Sequence, residues 1–108
     1  MSARERQLAA AKVLMALLSE DLPVASWTLY DVNATLNGQI SVSGGTVEQR
    51  LMAVQKWADY LGAEITVTRY EKRTGGSVSV TGEIDGVRIY VWSAFPKKEL
   101  PKTPKAGA

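Results

Sequence analysis

The chain has 108 residues, 45% of them hydrophobic and 22% charged, the proportions of an ordinary globular protein long enough to bury one core. It contains no cysteine and no histidine, which removes disulfides, thiol chemistry, the usual ligands of zinc, copper or haem, and the commonest general base at neutral pH. The formal charge of +2 hides an uneven distribution: Lys97, Lys98, Lys102 and Lys105 against Glu99 put +3 after Pro96, which leaves −1 for everything before, so no basic face is expected in the fold.

Ser2 and Glu5 have the S-x-x-E spacing of a capping box and open a helix. Leu8, Ala11, Met15 and Leu18, with Leu14 beside them, lie on one stripe of that helix, and Pro23 stops it. The apolar run Val13 to Leu18 is too short for a signal peptide, and no run reaches the length of a membrane span. A cytoplasmic location is therefore expected.

Residues 25–32 are rich in strand formers, and Asn33-Ala34 is a plausible turn. A second strand is predicted over 35–43, with Leu36, Gly38, Ile40 and Val42 on one face. Gly44-Gly45 leads into a second capping box, Thr46 with Gln49, and a helix with Leu51, Val54, Ala58 and Leu61 in a stripe and Trp57 flanking it. Gly62 is its left-handed cap. Ile65 and Val67 alternate with Thr66 and Thr68 in a third strand, a polar loop EKRTGG follows, and a hairpin turning at Asp85-Gly86 closes the domain. Residues 97–108, rich in Lys and Pro, are expected to be a disordered tail on a single domain spanning 1–96. The order α-β-β-α-β-β-β predicts an α+β two-layer sandwich, a largely antiparallel five-stranded sheet with two helices on one face.

A two-residue turn at Asp85-Gly86 sets Ile84 opposite Val87, Gly82 opposite Ile89, Val80 opposite Val91 and Val78 opposite Ser93, a face for the helices. The other face pairs Glu83 with Arg88, Thr81 with Tyr90 and Ser79 with Trp92, and Thr66, Thr68 and Tyr70 extend it. Three readings of the large aromatics on this uncovered face stand side by side. The face is solvated, with aromatic–Thr pairs supporting the sheet; or it is a protein interface around Tyr70, Thr81, Tyr90 and Trp92; or it is a stacking platform for single-stranded nucleic acid. The last would draw its charge from Arg69, Lys72 and Arg73 in the loop and from Lys97 and Lys98 in the tail.

The remaining candidates favour structure over chemistry. Gly44-Gly45-Thr46 lacks the lysine or the longer glycine spacing of a phosphate loop and reads as a strand-to-helix turn. Trp27 and Trp57 read as core residues. The carboxylates Asp31, Asp59, Glu64, Glu83 and Asp85 form no evident catalytic pair, so no enzyme, metal or cofactor is expected.

The segments LPVASW (22–27), LNGQI (36–40), WADYLGAEIT (57–66) and DGVRIYVW (85–92) together resemble a pattern of small proteins found in high-GC Gram-positive actinobacteria and their phages. That resemblance implies a bacterial or phage cytosolic protein and carries over no catalytic residue. The expectation is a non-enzymatic protein-interaction module, a homodimer or a binder of a host or phage protein, with a nucleic-acid-binding accessory protein as the alternative.

Overall fold

The computed structural model describes residues 2–30, 32–41, 45–70 and 75–96. Two helices, α1 (Ala3–Leu18) and α2 (Val47–Leu61), accompany five strands, β1 (Ser26–Leu29), β2 (Thr35–Gln39), β3 (Thr66–Arg69), β4 (Gly76–Ile84) and β5 (Val87–Phe95). The element order and the α+β class are those the sequence predicts. The strands form one mixed sheet in the order β1-β2-β5-β4-β3, antiparallel throughout except where β2 runs parallel to β5. Among the described residues no helix is long and apolar enough to cross a membrane. The basic loop residues Lys72 and Arg73 and the tail 97–108, with its predicted disorder, lie outside the described residues.

Both helices start where their side chains can satisfy the amides that helix geometry leaves unpaired. Ser2 Oγ accepts from Glu5 N–H at 3.1 Å while Glu5 Oε1 accepts from Ser2 N–H at 2.8 Å, and Thr46 with Gln49 repeats the arrangement. The Ser2 backbone N–H, and to a lesser degree the nearby Ser2 hydroxyl, hold the Glu5 carboxyl below the usual range. α2 ends at Gly62, whose φ of 67° is left-handed and open to glycine without strain.

The hairpin register agrees with the sequence pairing at every position, from Ile84↔Val87 to Val78↔Ser93. Asp85 and Gly86 carry positive φ, 51° and 80°, the backbone twist a two-residue hairpin loop needs. Val78, Val80, Val87, Ile89 and Val91 are buried beneath the helices, joined by Leu36 and Ile40 from the β2 segment. α2 lies over β4 and β5, and α1 over β1, β2 and β5.

α2 is held by directed contacts. Trp57 is 2% exposed, donates its indole N–H to Pro23 O at 3.0 Å, and meets Trp27 edge-on at 5.5 Å between ring centroids. Trp27 in turn lies over Gly38, where an added Cβ would come within 2.7 Å of its ring; glycine is what permits that approach. Arg50 is buried and reaches the end of β5. Its Nη1 donates to Ala94 O at 2.7 Å and Ser93 Oγ at 3.3 Å, its Nε donates to Gly45 O at 3.3 Å, and its guanidinium lies 4.6 Å from the Phe95 ring centroid. Ser93, a polar side chain on the apolar face, is satisfied by donating to Ile40 O at 2.7 Å.

α1 departs from the sequence reading. The residues it buries are Ala10, Val13 and Leu17, whereas Leu8, Met15 and Leu18 of the expected stripe are 55%, 70% and 66% exposed. The helix carries two apolar stripes, and the sheet takes the slimmer one, whose Ala10 and Val13 let the helix axis sit close to the strands. Within the segment 25–32 the described strand is Ser26–Leu29, and within 35–43 it is Thr35–Gln39, while Asp31, Val42 and Ser43 lie outside the described residues. Ile40 keeps one further bond, its N–H donating to Trp92 O at 2.8 Å.

Candidate interaction face of the sheet

The alternation of each strand sends its second set of side chains away from the helices. β5, in the centre, contributes Arg88, Tyr90, Trp92 and Ala94. β2 sets Thr35, Asn37 and Gln39 beside Arg88, Tyr90 and Trp92. On the other flank β4 sets Glu83, Thr81, Ser79 and Ser77 beside the same column, and β3 adds Thr68 and Thr66 opposite Ser77 and Ser79. Ser26 and Thr28 of β1 complete the surface. Along these strands the only charged residues facing outward are Glu83 and Arg88, and they are register partners at one end. The centre is hydroxyl, amide and aromatic.

Tyr90 and Trp92 are half-buried, Thr81 is exposed, and Ser77 and Ser79 are buried although no helix covers them. The Trp92 indole N–H donates to Asn37 Oδ1 at 2.9 Å across the β2–β5 boundary. That bond directs the indole edge toward β2 and holds the ring in one orientation over the sheet. The aromatic side chain is thus presented rigid, with one edge satisfied and the ring body available.

The structure brings together Thr81, Tyr90 and Trp92 of the predicted set. Tyr70 follows β3 in the same phase, but its N–H donates to Gly75 O at 3.1 Å, just before the start of β4, whereas Thr81 lies past the middle of that strand. Six residues of extended chain separate Gly75 from Thr81, about 20 Å, so Tyr70 marks the far margin rather than the centre. Arg69 pairs with Gly76 in the helix-facing phase of β3, not with Thr66 and Thr68, and so does not share the aromatic surface. Lys72, Arg73, Lys97 and Lys98 lie outside the described residues. Sequence reading missed Asn37. Its amide matters only because β2 lies beside β5, and no local pattern announces that neighbour.

Other candidate chemistry does not assemble. The Gly45-Thr46 turn into α2 spends its amide and hydroxyl on the capping box with Gln49. Asp59 accepts from Gln55 Nε2 at 2.9 Å on the exposed side of α2. Among the described residues no three Asp or Glu side chains are grouped to hold a metal ion. An open depression of about 400 Å³ between the α1–β1 connection and α2 is lined by Leu22, Pro23, Met52 and Ala53 with Asp21, Gln49 and Lys56. No family model, curated protein or solved structure matches the chain.

Proposed function

We propose that the chain is a non-enzymatic protein-interaction module, of bacterial or phage origin and acting in the cytoplasm, whose protein partner docks on the outer sheet face around Thr81, Tyr90 and Trp92. The observation that carries this reading is the scarcity of charge on the sheet face that bears no helix, whose centre is an indole fixed by Asn37. Interface centres are depleted in charged residues and enriched in Tyr and Trp, and a side chain already ordered in the free protein loses little entropy on binding. Ser, Thr and Asn around it supply short donors and acceptors that suit a peptide backbone or a polar rim.

The test compares three chains for capture of protein from an actinobacterial lysate: wild type, Trp92→Thr, and a chain ending at residue 96. One partner retained by the shortened chain and lost by Trp92→Thr, with the same far-UV circular dichroism, supports the reading. Equal capture by Trp92→Thr overturns it. Oligonucleotide binding that falls steeply with salt and disappears with the tail would replace it with the nucleic-acid alternative, in which lysines do the work.

A further inference from the structure

The strand at one border of the sheet has no role in that reading. Among the described residues β1 pairs only with β2, and strand alternation turns the N–H and C=O of every second residue outward, where a further strand would take them up. The other border, β3, follows Glu64 and ends in Arg69, charges of the kind that discourage strand addition, whereas no charged residue occurs from Leu22 to Tyr30. Apolar side chains stand in solvent at both ends of β1: Val24 is 90% exposed before it, Val32 is 74% exposed after it, and Tyr30 is exposed beside Leu29. Trp27 and Leu29, in the helix-facing phase of β1, are only half-buried, while Ile89 and Val91 in the same phase of central β5 are fully buried. We infer that β1 pairs antiparallel with β1 of a second copy, joining two sheets of five strands into one of ten.

The backbone selects the kind of occupant and the side chains select which one. A row of outward amides and carbonyls is satisfied by another extended strand, not by a helix or a lipid surface. A two-fold axis through Thr28, perpendicular to the sheet, sets Thr28 opposite its own counterpart, Ser26 opposite Tyr30 and Trp27 opposite Leu29. Small then meets large on the outer face, and the half-buried Trp27 and Leu29 cover each other on the helix side. The Val24 end of each copy comes beside the Val32 end of the other, which takes both exposed valines out of water. No charge lies among the five paired residues, so nothing in this register opposes like to like. The axis keeps the helices of both copies on one side and both Trp92 faces on the other, so the dimer is independent of docking at that face. Five paired residues span about 17 Å, and a seam of that length falls short of the roughly 800 Å² per partner of a stable complex, so the dimer is weak and concentration-dependent.

The experiment is sedimentation equilibrium of the full chain over a concentration series at low and high salt. Wild type is expected to dimerise in the micromolar-to-millimolar range with little response to salt, since the seam carries no charge. Thr28→Lys and Thr28→Glu each set like charges against one another across the axis. Each is expected to weaken the dimer about tenfold with unchanged circular dichroism, Thr28 being exposed. Mixed one to one, the two variants are expected to recover the dimer, now sensitive to salt, because a residue on a two-fold axis meets its own counterpart. Thr66→Lys makes the same change at the β3 border and leaves the dimer intact. A wild type monomeric up to about 1 mM overturns the inference. So does a dimer that tolerates both Thr28 variants, or one that folded variants fail to recover on mixing. Loss with Thr66→Lys or Trp92→Thr but not with the Thr28 variants overturns it too, and moves self-association to β3 or to the outer sheet face.

Discussion

Helices α1 and α2 are nearly equal in length, open with the same kind of capping box and lie on the same side of one sheet, yet they are attached differently. α2 presents Trp57 and Arg50, each buried and each hydrogen-bonded to backbone of another element, so its position over β4 and β5 is specified by direction as well as by apolar area. α1 buries Ala10, Val13 and Leu17, whose apolar contacts carry no direction, with Arg6 half-buried beside them, and leaves Leu8, Met15 and Leu18 outside. Burial alone holds a helix in place. Directed bonds decide which of several similar placements is occupied, because a misplaced buried donor or acceptor costs what a displaced methyl group does not.

The contrast can be broken most severely at Trp57. Trp57→Ala removes a buried indole, its bond to Pro23 O and its edge contact with Trp27, and is expected to lower the unfolding free energy by about 3–5 kcal/mol in urea titrations. A loss below about 1 kcal/mol would mean the site collapses freely and α2 is not anchored there. The next effect separates the two stripes of α1. Leu17→Ala should cost about 2–4 kcal/mol at any protein concentration, whereas Met15→Ala in dilute solution should stay within about 0.5 kcal/mol. Equal losses would show that the helix is docked by both stripes.

Arg50→Lys sharpens the argument for direction. Lysine keeps the charge but lacks the planar fork that reaches Gly45 O and Ala94 O together, so a loss of about 1–2 kcal/mol is expected, with weakened amide-exchange protection at the end of β5. The smallest effect is at the start of α1. Glu5 has its folded pKa lowered by Ser2, so its contribution to stability is present above the unfolded carboxylate pKa and is lost as pH falls through the folded value. Ser2→Ala removes the hydroxyl but keeps the backbone N–H, so it should return Glu5 only part of the way toward the ordinary carboxylate range in an NMR titration and remove only that part of the acid sensitivity. A titration unchanged by the substitution would mean the capping box is open in solution.

The same distinction between local and directed information explains what could be read from residues alone. Asp85-Gly86 sets the hairpin register because the two strands are joined through that turn, so every pair up to Val78↔Ser93 follows from counting. Ser2, Thr46 and Gly62 mark helix ends for the same reason, their partners lying within the next turn or the last. In the candidate face the pairs Ser79↔Trp92 and Thr81↔Tyr90 were legible, while Asn37 was not, since its bond to Trp92 joins residues 55 apart in the chain.

What the residues by themselves determine about this protein is therefore its element order, its helix ends, the closing hairpin, and the side of that hairpin that carries Tyr90 and Trp92. Only the tertiary structure decides that β2 runs parallel to β5 in the middle of the sheet, that Tyr70 stands apart from the aromatic centre, and that α1 turns Ala10, Val13 and Leu17 rather than Leu8, Met15 and Leu18 to the core. The first group rests on bonds closed across a few residues, where chain continuity limits the choices. The second rests on competition between surfaces of similar hydrophobicity, which is decided by how closely each can pack against the sheet.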